Sequence, residues 1–376
     1  MAYISNKEIK AIIKNNTKTI KELNKKNKSF TEKDYKNVTL NDSKNVVEFD
    51  NLHTYFFTDN GVVKAVNGVS FEVPENSIVG IVGESGCGKS VTSLSLMRLL
   101  QAPMGQIVDG SIRFKSSEDI VYDVAKMPIK EMYNIRGKDM TMIFQEPMTS
   151  LNPVFTIGNQ LDEVSFLHNH FNKEQAKARS IEMLTLVGIP DPEMVYKKYP
   201  HELSGGMRQR VMIAMALAAN PKLIIADEPT TALDVTIQAQ ILDLLRDIKE
   251  KTQASIMLIT HDLGVIAEMA DYVIVMYAGR IIEKGTVMEI FDNPMHPYTI
   301  GLQKSKPRID GNSDEPLFSI PGNVPNPVNM PSHCYFKNRC DRCVEKCNGA
   351  YPGMVQVSPT HFVSCYLANE DEKGGK

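Results

Sequence analysis

The stretch GESGCGKSVTSLSLM, Gly83–Met97, decides the fold of this 376-residue chain. It contains the pattern G-x-x-x-x-G-K-S, follows an apolar run typical of a β-strand, and continues with helical spacing. Glycines let the backbone curl so that successive N–H groups point inward, and the start of the helix adds a positive partial charge. A strand, a glycine loop and a helix in this order predict a phosphate-binding site.

The loop also supplies side chains for a nucleotide and its metal ion. We expect Lys89 to reach the β and γ phosphates and Ser90 to place its hydroxyl on Mg²⁺. Cys87 is expected to be a small loop residue whose N–H matters more than its thiol. The predicted ATP-binding residues of the loop are Gly83, Glu84, Ser85, Gly86, Cys87, Gly88, Lys89, Ser90 and Val91.

Two later strand ends supply polar groups of the kind that phosphate chemistry needs. In LIIADE, Asp227 ends an apolar run, where its carboxylate can hold Mg²⁺ through water. Glu228 follows at once, and we expect it to act on the attacking water. LITHD sets His261 at another strand end, where it could contact the γ phosphate.

Apolar runs alternate with helical patterns from Val46 onward, which predicts a three-layer α/β core of the P-loop NTPase kind. Helical patterns replace strand patterns between about 146 and 214, which indicates a helical subdomain. After about 290 the sequence becomes rich in Pro, Asn and Gly. The predicted division is a basic tail at 1–45, a nucleotide-binding domain at 46–290 and a small Cys-rich extension at 291–376.

Composition narrows the class of protein. A net charge of −3, with 42% hydrophobic and 23% charged residues, is typical of a soluble globular protein and implies no nucleic acid as a partner. No apolar run approaches the ~18 residues of a membrane span, and the lysine-rich start predicts no secretory signal. The tail has eleven lysines against five acidic residues. It is expected to be mobile and solvated, with contact to a membrane surface or a partner as the alternative.

A second phosphate-binding pattern lies at LSGGMRQR, Leu203–Arg210. Ser204, Gly205 and Gly206 open a helix and offer a hydroxyl and free N–H groups to an anion. The ATP of one chain hardly needs both surfaces unless two chains sandwich the nucleotide. We therefore expect this segment to act on ATP that is bound to a partner subunit.

With this motif the sequence resembles the ATP-binding cassette (ABC) proteins, from Val46 to about Leu302. The resemblance implies that LSGG closes over ATP held by another subunit. It also implies that Gln145, in MIFQEPMTSLNP, contacts Mg²⁺ beside Ser90 and Asp227 and couples to the membrane subunits.

The same resemblance implies roles for three further side chains. Asp234, in TTALD, corresponds to the D-loop, and His261 corresponds to the switch histidine. Phe56 corresponds to the aromatic residue that stacks on adenine, and the adjacent Tyr55 is the alternative. With Glu228 and Gln145, His261 completes the predicted catalytic set.

Three segments look like the ATPase subunits of oligopeptide and dipeptide permeases, namely FQEPMTSLNPVFTIGNQ, NPMHPYTIGL and GGMRQRVMIAMALAANPKLIIADEPTTALDVTIQAQIL. Within that group, LSGGMRQRVMIAMAL resembles the D-type subunit more than the F-type. This implies ATP-driven import of peptides at the cytoplasmic face of the cell membrane. The implied partners are an F-type ATPase subunit, two membrane-spanning permeases and an external peptide-binding protein. Import of nickel or glutathione is the alternative, and a soluble ABC ATPase acting on nucleic acid or ribosomes is a remote one.

Five of the six cysteines lie between Cys334 and Cys365. Clustered thiolates suit Zn²⁺ or an iron–sulfur cluster, and spacing alone does not choose between them. Peptide-permease ATPases carry a similar set, and the resemblance implies a [4Fe–4S] cluster on Cys334, Cys340, Cys347 and Cys365. Cys343 departs from that pattern. Zinc and the absence of any bound metal remain alternatives.

Overall fold

The computed structural model describes residues 5–231, 233–305, 318–328 and 330–369. Its helices are α1 (Asn6–Ser29), α2 (Glu32–Tyr35), α3 (Lys89–Leu96), α4 (Pro147–Ser150), α5 (Ile157–His168), α6 (Lys173–Leu186), α7 (Pro192–Tyr196), α8 (Gly205–Leu217), α9 (Val235–Thr252), α10 (Leu263–Met269), α11 (Val287–Asp292) and α12 (Pro297–Lys304). Its strands are β1 (Asn45–Thr58), β2 (Gly61–Pro74), β3 (Ile78–Val82), β4 (Gly105–Lys115), β5 (Val121–Asp123), β6 (Met140–Ile143), β7 (Leu223–Asp227), β8 (Ser255–Thr260), β9 (Tyr272–Tyr277), β10 (Arg280–Thr286), β11 (Val355–Gln356) and β12 (Phe362–Val363).

The central sheet carries the predicted phosphate site. Its strand order is β11-β12-β10-β9-β3-β8-β7-β6, and the five strands from β9 to β6 run parallel. β3, β7 and β8 are buried along their whole length, which is why their sequences are continuous apolar runs. Because parallel strands end at one edge of a sheet, the loops after β3, β7 and β8 meet there.

The two faces of the central sheet bury two different cores. On one face the antiparallel sheet β2-β1-β4-β5 packs through Phe49, Phe71 and Phe114 against Ile81 and Ile225. On the other face, α8, α9 and α10 bury their apolar residues against the same strands. This arrangement confirms the predicted α/β P-loop core with layers on both sides of the sheet.

Between β6 and β7 the chain forms the helices α4 to α8. α5, α6 and α8 pack against each other, with Leu161, Leu184 and Val211 in their common core. A buried polar contact also fixes them, because Asp162 accepts hydrogen bonds from Ser180 over 2.6 Å and from Tyr196. This segment is where a helical subdomain was expected. Within the described residues, no helix is long and apolar enough to cross a membrane.

The N-terminal segment differs from the expected mobile tail. α1 begins with a capping box between Ser5 and Glu8 and lies against β1 and β4. Asn16 Nδ2 donates to the carbonyl oxygen of Thr58 over 2.9 Å, and Leu23 is buried against the sheet. The polar composition misled the prediction, because a narrow set of side chains on one helix face is enough to dock it.

The C-terminal region returns to the central sheet. β12 pairs with β10, where Glu283 faces Val363. Glu283 also contacts His361 Nε2 over 2.8 Å, and both side chains are buried. The predicted extension is therefore partly built into the sheet rather than only appended by loops. Its residues 306–317, 329 and 370–376 lie outside the described residues.

Candidate active site

Close backbone packing gives the phosphate loop its shape. Gly88 has φ +106°, and a Cβ there would lie 2.3 Å from the carbonyl oxygen of Ala65 in β2. At Gly83 a Cβ would lie 2.2 Å from the carbonyl oxygen of Met276 in β9. Only glycine fits at these two positions. The loop is thus wedged between two strands.

Lys89 points back into this loop. Its side chain is buried, and Nζ donates to the carbonyl oxygens of Gly83 over 2.7 Å and Glu84 over 3.2 Å. The ammonium group is therefore held where the loop would surround a phosphate. Cys87 is buried as a small loop residue, and burial raises the pKa of its thiol. The other predicted loop residues are the exposed Ser85 and Gly86, and Val91, which packs against the core.

Ser90 and Asp227 form the predicted metal-binding pair. Ser90 Oγ donates to Asp227 Oδ1 over 3.0 Å. Asp227 is only 7% exposed, and this burial raises the pKa of its carboxyl group, an effect to which the charge of Glu228 adds. A cation beside the pair would stabilise the ionised carboxylate. Oxygen ligands suit Mg²⁺, so the pair fits the expected ion.

The predicted catalytic residues meet at Glu228. Gln145 Nε2 donates to Glu228 Oε2 over 2.9 Å, and Thr231 Oγ1 donates to the same oxygen over 2.8 Å. His261 Nδ1 lies 3.3 Å from Oε1, and its side chain is 61% exposed. The φ of Glu228 is +49°, which is uncommon for a residue with a side chain. Thr231 was not predicted as a site residue, although it lies in the quoted TTALD motif.

The two candidate adenine-stacking residues have different surroundings. A Cβ on Gly105 would lie 3.0 Å from Cε1 of Phe56, so the Phe56 ring packs against that glycine. The Tyr55 ring lies beneath Lys64, whose Nζ is 5.7 Å from the ring centroid. Ala65, the next residue, is the one that contacts the phosphate loop. Tyr55 Oη donates to Asn67 Oδ1 over 2.9 Å, so both rings have contacts within the antiparallel sheet or its edge, and Phe56 stays the predicted stacking residue with Tyr55 as the alternative.

The two motifs predicted to face a partner lie at the exposed starts of α8 and α9. Ser204 accepts a hydrogen bond from a backbone N–H in the first turn of α8, and both Ser204 and Gly205 are exposed. Asp234 caps α9 in the same way, and the adjacent Val235 is 84% exposed. Ala232, within the TTALD motif, lies outside the described residues. Both helix starts could therefore contact another chain.

α8 also connects the signature segment to the catalytic loop. A Cβ on Gly206 would lie 3.0 Å from Cγ2 of Ile237, so α8 and α9 approach closely at their first turns. Further along α8, the buried Gln209 donates its Nε2 to the carbonyl oxygen of Pro229 over 2.6 Å. Pro229 follows Glu228 directly, so this hydrogen bond ties α8 to the segment that carries the Glu228 carboxylate.

Glu84 of the phosphate loop is bound by residues from beyond the core sheet. Arg339 donates two hydrogen bonds to its carboxylate, over 2.8 and 3.0 Å. Tyr298 Oη accepts from the backbone N–H of Glu84 over 2.8 Å. The hydrogen bonds to Glu84 raise the pKa of Arg339. Neither Arg339 nor Tyr298 was predicted as a site residue, although Tyr298 lies in the quoted segment NPMHPYTIGL and Arg339 precedes Cys340.

The expected [4Fe–4S] cluster is wrong, and so is the zinc alternative. Among the residues described, no group of three or more His, Cys, Asp or Glu side chains is placed to hold a metal ion. Burial raises the pKa of Cys334 and of Cys340 to about 11, so both are protonated thiols at neutral pH. Cys347 and Cys365 are buried in the same region, whereas Cys343 is exposed. The buried Cys334, Cys347 and Cys365 pack in the apolar clusters of this region.

The fold and the site together define an ATP-binding cassette ATPase. A family model described as ABC transporter matches residues 66–231, and one described as oligopeptide/dipeptide transporter, C-terminal region, matches residues 282–347. A dimeric structure of the ATP-binding cassette MJ0796, in a post-hydrolysis state with ADP and Pi, is similar with a TM-score of 0.56 and 25% identity. The matched region covers 64% of this chain and 98% of the MJ0796 chain.

Similarity to individual proteins assigns the chain to a narrower group within this class of ATPase. The oligopeptide transport ATP-binding protein AppD of Bacillus subtilis (strain 168) is 50% identical over 325 residues, which are 86% of this chain and 97% of AppD. The dipeptide transport ATP-binding protein DppD of the same organism is 51% identical over 320 residues, covering 85% of this chain and 94% of DppD. The chain belongs to the ABC transporter family, among its oligopeptide and dipeptide transport ATP-binding proteins.

Proposed function

We propose that this chain is the ATP-hydrolysing subunit of an ABC importer that moves oligopeptides or dipeptides, and that it works at the cytoplasmic face of the cell membrane. The observation that carries the proposal is the contact set around Glu228, next to the Ser90–Asp227 pair. The named activities of relatives about 50% identical support the peptide cargo.

The geometry suits hydrolysis by positioning and charge. Lys89 and the loop N–H groups bind the phosphates, while Ser90 and Asp227 hold Mg²⁺. When bound, the ion neutralises charge that develops on the phosphates. Gln145 and Thr231 fix Oε2 of Glu228, which leaves Oε1 to accept a hydrogen bond from the attacking water. His261, beside Oε1, donates to the γ phosphate.

A second cassette completes each ATP site in this proposal. The exposed Ser204 and Gly205 would bind the γ phosphate of ATP that is held by the partner, and Asp234 with Val235 would lie in the contact between the subunits. The signature sequence LSGGMRQRVMIAMAL resembles the D-type, so the partner is an F-type ATPase subunit rather than a second copy. Purification of the co-expressed pair should yield a one-to-one heterodimer on Mg–ATP binding; a homodimer of this chain alone would contradict this part.

The permease would dock in the groove between the central sheet and the helical segment. This groove has a volume of about 520 Å³ and adjoins Gln145 through the exposed side chain of Phe144. Apolar side chains dominate its lining, and they include Met97, Met142, Phe144, Leu151, Met212 and Met215. An apolar helix of a membrane-spanning subunit fits this chemistry. Its movement would reach Glu228 through the Gln145 hydrogen bond.

Peptide uptake and ATP turnover test the proposal together. In a strain lacking this subunit, the wild-type chain should restore uptake of di- or oligopeptides, whereas Glu228→Gln should not. Glu228→Gln should bind Mg–ATP normally and lose at least about 100-fold in turnover, because only the acceptor of the water proton changes. Glu268→Gln, an exposed glutamate on α10, is the matched control and should behave as wild type. Normal turnover of Glu228→Gln, or uptake without this subunit, would refute the proposal.

A further inference from the structure

Arg339 uses its whole guanidinium group to join three parts of the chain. A guanidinium has five N–H donors. Two bind the carboxylate of Glu84, and one lies 3.4 Å from Tyr277 Oη at the end of β9. The other two reach the carbonyl oxygens of Pro321 over 3.0 Å and Ile320 over 3.3 Å. Every donor therefore has an acceptor, and the side chain is only 6% exposed.

Aromatic rings hold this arginine in place. Its guanidinium carbon lies 5.8 Å from the ring centroids of both Tyr277 and Phe336. Those rings contact each other edge to face, with their centroids 5.3 Å apart, and Tyr298 packs against both. A planar cation that is stacked and hydrogen-bonded on all sides has one orientation, which a lysine cannot reproduce.

Glu84 is held at three points by these and other contacts. Its N–H is bound by Tyr298, its carbonyl oxygen by Lys89 and its carboxylate by Arg339. It directly follows Gly83, so its backbone sets the start of the phosphate loop. Two of the three contacts come from residues that follow β10 in the chain, within the segment 297–339.

The charge of Glu84 would oppose nucleotide binding without a partner. A carboxylate in the phosphate loop repels the triphosphate, and at partly buried sites such charges interact over several ångströms with little screening. The two hydrogen bonds from the guanidinium group of Arg339 neutralise this carboxylate and keep it turned towards Tyr277. The same contact therefore shapes the loop and removes a negative charge from the mouth of the phosphate site.

We propose that Arg339 is a positioning residue of the ATPase, which acts through Glu84 to set the phosphate loop for Mg–ATP. The C-terminal region thereby becomes part of the nucleotide site, although Arg339 itself touches no substrate. This inference deepens the proposed function and rests on ATP being bound at this loop.

The Michaelis constant separates this role from a purely structural one. Arg339→Ala in the full-length chain should raise the KM for Mg–ATP by about tenfold while kcat falls less than about threefold, because loading is impaired and the Glu228 cluster is intact. Arg339→Lys keeps the positive charge but cannot make the two parallel hydrogen bonds to Glu84. Its KM should lie between those of the wild type and Arg339→Ala. Arg342→Ala removes an exposed arginine three positions further along the chain and serves as the matched control.

A second substitution tests the electrostatic step. In Arg339→Ala/Glu84→Gln the unpaired carboxylate is gone but the loop still lacks its Arg339 contact, so the KM should lie between those of Arg339→Ala and wild type. A KM unchanged in Arg339→Ala would overturn the inference. If Arg339→Ala fails to fold, Arg339→Lys decides, because it keeps the charge without the paired hydrogen bonds to Glu84. A wild-type KM in Arg339→Lys would then overturn the inference.

The two hypotheses fail in different ways. If the wild-type chain binds no Mg–ATP, or Glu228→Gln hydrolyses it normally, the proposed function itself is refuted. If the wild type and Glu228→Gln behave as expected and only the Arg339 variants do not, the positioning role alone is lost.

Discussion

Ser90 donates a hydrogen bond to Asp227 over 3.0 Å, and this contact joins the first turn of α3 to the end of β7 across 137 positions of sequence. It holds the phosphate loop next to the loop that follows β7. It also sets a conflict between stability and function, because Asp227 is a buried carboxylate whose pKa is raised by that burial.

Replacing Asp227 should expose this conflict. Between the ordinary and the raised pKa the native state binds more protons than the unfolded state, so stability falls as the pH rises through that window. At neutral pH the ionised group is therefore a cost, and Asp227→Asn should raise the Tm of the nucleotide-free protein by about 1–2 °C. The same variant should lose at least about 100-fold in ATPase rate.

Thermal unfolding with EDTA and with Mg–ATP provides the measurement. The wild type should gain Tm on addition of Mg–ATP, and Asp227→Asn should gain much less, because it lacks the carboxylate ligand. An equal gain in both proteins would mean that Asp227 does not serve the metal ion.

Tyr55 and Phe56 can be separated by ligand choice. Phe56→Ala should weaken ATP binding by about tenfold, since stacking on a base contributes about 1–3 kcal/mol. Binding of inorganic tripolyphosphate, which has no base, should be unchanged. Tyr55→Ala should leave both affinities as they are and lower the Tm, because it removes the hydrogen bond from Tyr55 Oη to Asn67 Oδ1. Reversed results for the two variants would make Tyr55 the stacking residue.

His296 should make the fold sensitive to acid. It is buried, its Nδ1 accepts from the N–H of Tyr298 over 3.0 Å, and burial lowers its pKa to about 4 although the nearby Glu283 opposes this shift. An unfolded histidine titrates near 6.5, so the unfolded state binds more protons between these values. Stability should therefore be lost as the pH falls from 6.5 towards 4.

The variant His296→Asn keeps an acceptor for the helix cap but cannot titrate. Urea unfolding at pH 7 and pH 4.5 should show a loss for the wild type that is larger by about 2–3 kcal/mol than for His296→Asn. Equal losses would assign the acid sensitivity to other groups.

Docking of α1 should depend on Leu23. Leu23→Ala removes the buried contact with the small sheet, so trypsin should cleave the lysine-rich α1 several-fold faster while the ATPase rate stays unchanged. Ile13→Ala is the control, since Ile13 is 40% exposed on the same helix. Equal cleavage rates in Leu23→Ala and wild type would show that α1 is held by other contacts.

Local motifs made much of this site predictable. Gly83, Lys89 and Asp227 lie in short segments where a strand ends and a loop begins. The local sequence pattern therefore predicts the position of each of these residues. The grouping of Gln145 and His261 around Glu228 followed from the shared edge of parallel strands and from the family resemblance.

Other features depend on contacts that no local pattern encodes. Arg339 and Glu84 are 255 positions apart, and the sequence around Arg339 drew attention only to the neighbouring Cys340. The directions in which the Tyr55 and Phe56 side chains point depend on an irregularity in the pairing of β1 with β2 near Thr54. The family resemblance implied a ligand set for the cysteines, but their spacing does not fix where the thiols point.

The late position of β12 and Arg339 has a consequence for synthesis of the protein. A ribosome that has passed His261 has already made every ATP-binding motif, yet β10 still lacks its neighbour β12 and Glu84 lacks its cation. A nascent or truncated chain of about 300 residues would therefore carry the full set of motifs without a finished phosphate loop. Under the positioning role proposed for Arg339, such a chain would bind nucleotide more weakly than one that includes residue 339.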